Sequence, residues 1–159
     1  MIKAIYPGTF DPITVGHLDV IKRSAKIYDK LYIAVMENRN KNCTFTRVER
    51  INMIKKCTKN IKNIEVVSGD GLTVDMAKKL KCNVIIRGIR AVSDYESELA
   101  LATANMNLNN DIETMFMVAK PELSFLSSSV AKEIASFNGD ISTYIPKAII
   151  KEVSKKLYK

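Results

Sequence analysis

The sequence has no tryptophan, a single histidine and three cysteines among 159 residues. The cysteines, Cys43, Cys57 and Cys82, are odd in number and far apart, with no C-x-x-C pair. That argues against a disulfide framework and against a cysteine zinc site, and leaves free thiols as the expectation. No apolar run approaches the ~20 residues that a membrane-spanning helix needs. The N-terminal apolar stretch is also too short for a secretory signal, so a cytoplasmic protein without membrane contact is expected. The two common phosphate loops are missing: neither G-x-x-x-x-G-K-[ST] nor G-x-G-x-x-G occurs. Without tryptophan, and with basic residues not interleaved with aromatics, no stacking platform for single-stranded nucleic acid is apparent.

What is present is a net charge of +8. Such an excess points to an anionic partner, either nucleic acid or phosphorylated small molecules. Much of it is scattered lysine (Lys55, Lys56, Lys59, Lys62, Lys78, Lys79, Lys81), the pattern of a solvated surface, so charge alone does not choose between them. Apolar residues make up 47% of the chain, ordinary for a globular protein. The length fits one domain, 1–159, with no repeat or linker.

Apolar runs alternate with helical patterns. "IKAIY" (2–6), "LYIAVM" (31–36), "IEVV" (64–67), "NVIIR" (83–87) and "IETMFMV" (112–118) predict five strands. Helices are predicted over 16–29, with Leu18, Ile21 and Ala25 on one face, and over 46–58, with Val48, Ile51 and Ile54 in a stripe. Thr46-x-x-Glu49 predicts a capping box for the second helix, and Ser93-x-x-Glu96 predicts another opening a long helix after the fourth strand. Further helices are expected over 72–80 and 127–137, and a basic surface helix from about 146, striped with Ile150, Val153 and Leu157. Near-continuous apolar strands separated by helices predict an α/β fold, a doubly wound five-stranded parallel sheet covered on both faces.

In such a fold ligands bind beyond the carboxyl ends of the strands. Those positions hold Gly8 to Phe10, Asn38 to Lys41, Gly69 to Thr73, Arg87 to Arg90 and Lys120 to Ser129. They supply hydroxyls, small residues and cations, without a cysteine cluster or close carboxylate pair, and so predict an anion-binding rim. The lone histidine, His17, lies in "GTFDPITVGH" (8–17) at a helix start, where unpaired N–H groups and the positive end of the dipole favour anions. It is either a polar residue at a turn or a donor to phosphate through Nε2. The serines 127–129 likewise read as a helix cap or as part of an anion site.

Thr14-Val15-Gly16-His17 matches the (T/H)-x-G-H motif of the class I nucleotidyltransferase superfamily. The longer blocks "YPGTFDPITVGH" (6–17), "FTRVER" (45–50), "IIRGIRAVSDYESELALATANM" (85–106) and "SFLSSSVAKE" (124–133) resemble the bacterial phosphopantetheine adenylyltransferase family, in order and spacing, from Met1 to about Pro146. The resemblance implies a Rossmann-like nucleotidyltransferase fold and the reaction of ATP with 4′-phosphopantetheine, giving dephospho-coenzyme A and pyrophosphate with Mg²⁺. It further implies a homohexamer, a dimer of trimers. Carried onto this chain, His17 would stabilise the α-phosphate in the transition state, supported by Lys41 and Arg90. Thr9, Lys41, Thr73 and Arg87 would bind phosphopantetheine. Thr9, Phe10, His17, Gly88, Ile89, Arg90, Glu98 and the segment Leu123, Ser124, Phe125, Leu126, Ser127, Ser128, Ser129 would bind ATP. Mg²⁺ would ride on phosphate oxygens rather than in a protein cage.

The chemistry agrees with these roles. A phosphate oxygen is already an ionised nucleophile, so no base–nucleophile dyad is needed, and catalysis comes from alignment and charge neutralisation. The same chemistry with nicotinamide mononucleotide or glycerol phosphate as acceptor is an alternative, against which "RGIRAVSDYESE" favours the phosphopantetheine branch. A non-catalytic RNA-binding module is another. Two departures from the family pattern concern the acceptor: "ENRNKN" lacks a proline common in that loop, and Thr73 stands where an aliphatic residue is frequent.

Overall fold

A computed structural model describes residues 1–37 and 42–158. Along the chain run β1 (Lys3–Gly8), α1 (Val15–Ile27), β2 (Lys30–Met36), α2 (Arg47–Thr58), β3 (Ile64–Gly69), α3 (Thr73–Leu80), β4 (Val84–Ile89), α4 (Val92–Leu108), β5 (Glu113–Val118), α5 (Ser128–Ser136) and α6 (Ile150–Leu157). A 3₁₀ turn, Pro121–Leu123, precedes α5. The strands form one parallel sheet in the order β3-β2-β1-β4-β5. The doubly wound architecture expected from the apolar spacing is therefore present.

Alternation along the strands builds a core on each face. Ala4, Tyr6, Leu31 and Ile33 point to one side, where α1, α2, α5 and α6 bring Ile21, Ile54, Ala131 and Val153. Ile5, Ala34 and Ile85 point to the other, against Val74 and Ala77 of α3. Three strands run two residues past their apolar runs, to Gly8, Gly69 and Ile89. The apolar pattern marks burial, whereas ladder pairing with a neighbour continues to the rim.

The Thr46/Glu49 capping box forms, with Thr46 Oγ1 accepting from Glu49 N at 3.3 Å and Glu49 Oε2 accepting from Thr46 N at 2.7 Å. The α2 stripe holds in part: Ile54 is fully buried and Ile51 packs against the core, but Val48 does not follow them. Val48 is 67% exposed, while Arg50, Met53, Ile54 and Thr58 face inward. On α1 the expected Ile21 is buried and Ala25 packs against the core, and the inward face widens to take in Val20 and Ser24. The Ser93/Glu96 box is absent: α4 starts at Val92 after Ala91, with no side-chain cap. Ser93 lies inside the helix, and Asp94 accepts the Arg90 N–H instead, at 3.0 Å. The last helix begins at Ile150 rather than about 146, because Pro146–Ile149 close a separate turn. It docks on α2, with Val153 fully buried and Lys156–Glu49 and Lys56–Glu152 pairs along the seam.

Full cover on both faces does not hold at one end. Only Ala102 of α4 is buried, and Leu99, Leu101, Met106 and Leu108 stand exposed beside Met115 and Val118 of β5.

Candidate active site

The β1–β2 ladder runs six pairs, from Lys3↔Lys30 to Gly8↔Val35, but β1 pairs with β4 only at Ala4↔Val84 and Ile5↔Ile85. Pro7 explains the early end. It has no N–H to donate, and its carbonyl accepts Arg87 Nη1 at 3.3 Å. Beyond that point the two central strands part, at the place where the chain order in the sheet reverses. A cleft of about 820 Å³ opens there, bounded by the turns after β1 and β4, the start of α3, and the segment leading into α5.

The turn after β1 carries Phe10 in the left-handed region at φ 50°. That conformation costs a non-glycine residue on the order of 1–2 kcal/mol. Packing holds it: the Phe10 ring is buried edge-on between Tyr6 (centroids 5.5 Å apart) and His17 (5.2 Å). Asp11, next in sequence, is buried and accepts Thr44 N (2.9 Å), Phe45 N (2.8 Å) and Lys132 Nζ (2.7 Å). Burial works to raise its carboxyl, but these donors hold it below the ordinary carboxylate range. The turn is thereby tied to the segment before α2 and to α5.

His17 does two jobs at the start of α1. Thr14 is the N-cap, its Oγ1 accepting from His17 N at 3.2 Å, and His17 Nδ1 accepts the Thr14 N–H at 3.1 Å. An accepting Nδ1 fixes the neutral tautomer, so the remaining ring proton is on Nε2. Burial, reinforced by the Arg90 charge, lowers the His17 pKa to about 4. The expected anion site at bare N–H groups is thus smaller than the helix start implies, since Val15 N also bonds Tyr144 O at 2.8 Å. The ring Nε2–H remains as a side-chain donor at this helix start. As the chain holds one histidine, its ring-proton NMR signal needs no assignment and should titrate near 4. A midpoint near 6.5 would contradict the Nδ1-accepting geometry.

Each described cation at the cleft wall has a carboxylate partner, a feature the strand-end residues did not reveal. Glu98 receives Arg87 through both oxygens, Nη2–Oε1 at 2.6 Å and Nε–Oε2. Asp94 receives Arg90 through Nε (3.0 Å) and Nη2 (3.1 Å), while Arg90 Nη1 donates to Leu126 O at 3.0 Å. One turn of α4 thus sets the planes of two guanidinium groups. Behind the wall, Arg50 is 1% exposed. It donates to Phe45 O (3.1 Å), Thr9 O (2.8 Å) and Glu37 Oε1 (2.7 Å). Arg47 shares Glu37 and clasps Asp70, bracing the ends of β2 and β3.

This chain matches the cytidylyltransferase-like family model over residues 5–134. It is 48% identical over 154 residues to a phosphopantetheine adenylyltransferase of Finegoldia magna, covering 97% of this chain and 95% of the relative. It is 51% identical over 152 residues to those of Lachnoclostridium phytofermentans (96% and 93% covered) and Prochlorococcus marinus (96% and 97%). The chain belongs to the phosphopantetheine adenylyltransferase family.

Of the positions that family resemblance singles out, Thr9, Phe10, His17, Thr73, Arg87, Gly88, Ile89, Arg90, Glu98, Leu123, Leu126 and Ser127–Ser129 line the one cleft. Ser124 and Phe125 do not. Ser124 Oγ donates to Pro121 O at 2.9 Å, and Phe125 is 54% exposed, edge-on to Tyr144. Lys41 and Asn38 lie outside the described residues. The expected cap forms, with Ser127 accepting Val130 N at 3.1 Å; Ser128 Oγ donates to Pro12 O at 2.7 Å, and all three serines border the cleft. Sequence reasoning missed Tyr6, Asp11, Arg50, Asp94 and Lys132. Each stands within a block carrying the family resemblance, but each looks like an ordinary strand, turn or helix-surface residue until its partners are seen.

Proposed function

We propose that this protein transfers the adenylyl group of ATP to 4′-phosphopantetheine, giving dephospho-coenzyme A and pyrophosphate, in the cytoplasm. The observation that carries this is the ring of His17: its Nδ1 is engaged by the Thr14 N–H and its Nε2–H is left as a neutral donor at the wall of the β1/β4 cleft. The names of the relatives at about half identity give the acceptor. A terminal phosphate oxygen of phosphopantetheine attacks the α-phosphorus of ATP. A new P–O bond forms, the bond from the α-phosphorus to the bridging oxygen breaks, and pyrophosphate leaves with the electron pair.

In this proposal Nε2 of His17 donates to an α-phosphate oxygen as charge builds there, and Arg90 and Lys41 add positive charge. Arg87, Thr9, Thr73 and Lys41 hold the acceptor. The Phe10 backbone, Gly88 to Arg90, Glu98 and the segment 123–129 hold the nucleotide. A His17 held neutral donates without itself needing to lose or gain a proton near neutral pH, and the ionised nucleophile needs no base. Asp94 and Glu98 keep the two arginines aligned, so less ordering remains to be done when two polyanions enter.

Mg²⁺ belongs to the proposal as an ion carried by the phosphates. Among the described residues no three of His, Cys, Asp and Glu gather as ligands, and Asp11, Asp94 and Glu98 already bind cations. Mg²⁺ keeps several waters and accepts phosphate oxygens readily, so this wall suits it. When bound, the ion would screen the repulsion between the two substrates. The apolar surface of α4 and β5 supports the homohexamer that the family resemblance implies, since exposed apolar patches mark protein contacts. Free thiols support a reducing compartment. No described helix is long and apolar enough to cross a membrane.

The test is pyrophosphate release from Mg·ATP with 4′-phosphopantetheine, nicotinamide mononucleotide or glycerol phosphate as acceptor. Release is expected with phosphopantetheine alone. Release with either of the others alone would keep the chemistry and overturn the acceptor.

A further inference from the structure

Tyr6 is the first residue of β1 beyond its last pair with β4, so its side chain stands where the central strands separate. The ring is fixed edge-on to Phe10 at 5.5 Å and 77°, within the apolar cluster beneath α1, and the residue is only 6% exposed. Its hydroxyl nevertheless makes no hydrogen bond to any described residue, and it is not among the sealed polar atoms of the interior. It opens on the cleft beside Arg87 and Gly88. Gly88 helps keep it uncovered: a methyl group added there would stand 3.7 Å from the Tyr6 oxygen. The ring is buried while the hydroxyl is reached only from the cleft, so its donor is left for whatever enters there.

The surroundings identify the missing partner. Burial raises the phenol far above its ordinary range against the pull of Arg87, so it stays protonated and remains a donor at neutral pH. Both oxygens of the nearby Glu98 accept from Arg87. A donor next to a guanidinium at a cleft wall suits a ligand oxygen carrying negative charge.

We propose that the Tyr6 hydroxyl donates a hydrogen bond to the phosphate of the acceptor, beside Arg87, and so makes Tyr6 a substrate-binding residue. This rests on the adenylyl-transfer reaction and on Arg87 holding the acceptor. Tyr6 supplies a neutral donor where Arg87 supplies charge, and the rigid ring fixes the phosphate laterally for in-line attack. It would act on acceptor binding, with no part in holding the nucleotide.

Tyr6→Phe removes one oxygen and keeps the ring against Phe10. In the intact protein, calorimetric Kd and steady-state KM for 4′-phosphopantetheine should rise about tenfold, the size of a hydrogen bond to a charged group. The KM for ATP and the Tm should stay unchanged, since no contact within the protein is lost. Dephosphorylated pantetheine, as a second probe, should bind wild type and variant alike. An equal loss for pantetheine would overturn the phosphate contact, and so would a change in the ATP constant alone. A wild type that turns over phosphopantetheine, with a variant of unaltered acceptor constants, would remove Tyr6 from the site and leave the reaction standing. A wild type silent with phosphopantetheine would overturn both.

Discussion

Replacing His17 by alanine should lower kcat by about 10²–10³-fold, the loss seen when one preorganised donor to a developing oxyanion is removed. Two functions are lost together in that variant. Nε2 no longer donates in the cleft, and Nδ1 no longer accepts the Thr14 N–H at the start of α1. The second loss costs about 1 kcal/mol of stability, as for other helix caps. His17→Gln separates them. Glutamine at this third helical position completes a capping box with Thr14, so the Tm should stay near that of wild type while kcat falls as far as in His17→Ala. Steady-state turnover and thermal melting of both variants decide the matter. Full turnover in His17→Gln would leave the histidine a cap and nothing more. The pH dependence follows from the lowered pKa. The unfolded chain takes up the histidine proton near 6.5 and the native chain near 4. The unfolded state therefore binds more protons between those values, and this contribution to stability is complete above about 6.5 and is lost as pH falls toward 4.

Arg50→Ala should be the most destabilising single change in the cleft region, by about 3–5 kcal/mol, because it empties a fully buried volume and leaves two carbonyls inside the protein without their donor. For a chain of this length that is a fall in Tm of about 10 °C or more. The carbonyls of Thr9 and Phe45 would lose their donor inside the protein, while Glu37, itself 37% exposed, would keep Arg47 and gain water. Arg47→Ala serves as the comparison. Arg47 is partly exposed, and solvent compensates its partners, so its loss should cost about 1 kcal/mol or less. Thermal melts of the two variants side by side test this. Equal, small shifts would show that water reaches the carbonyls of Thr9 and Phe45 when Arg50 is gone. Because Arg50 holds the Thr9 carbonyl, residual folded Arg50→Ala should also bind both substrates more weakly.

The two arginines show where sequence patterning loses its grip. Arg47 and Arg50 both stand in "FTRVER", and the periodic apolar residues place Val48 on the buried stripe. In the fold Val48 faces out and Arg50 faces in. A helical period fixes which residues share a face but not how the helix is rotated about its axis. Rotation is set by what the helix packs on, here the β1 turn and the end of β2, which offer a carbonyl and a carboxylate rather than an apolar wall. The Ser93/Glu96 box failed for a similar reason. Arg90, held by Leu126 from a distant segment, draws in Asp94 and starts α4 at Val92, ahead of the serine.

The site was legible in its members and illegible in its wiring. Gly8 to Phe10, Arg87 to Arg90 and Ser127 to Ser129 were marked by following apolar strands and His17 by its place at a helix start, and they converge on one cleft. That the arginines are neutralised by Glu98 and Asp94, that Asp11 ties the first turn to α5, and that Ser124 and Phe125 turn away depend on contacts between residues distant in the chain.

By itself the sequence determined the class of fold, the order of strands and helices along the chain, and the end of the sheet where the cleft opens. Those follow from local patterns: apolar runs, cap residues and the glycines and prolines between them. Only the tertiary structure decided that β1 and β4 part after two pairs, which faces of α1 and α2 turn inward, and which charges meet. These are settled by burial and pairing across the whole chain. A charge or a hydroxyl acquires its role from the partner it is denied or given there, as the contrast between Arg50, bonded through all three nitrogens, and Tyr6, open to the cleft, makes plain.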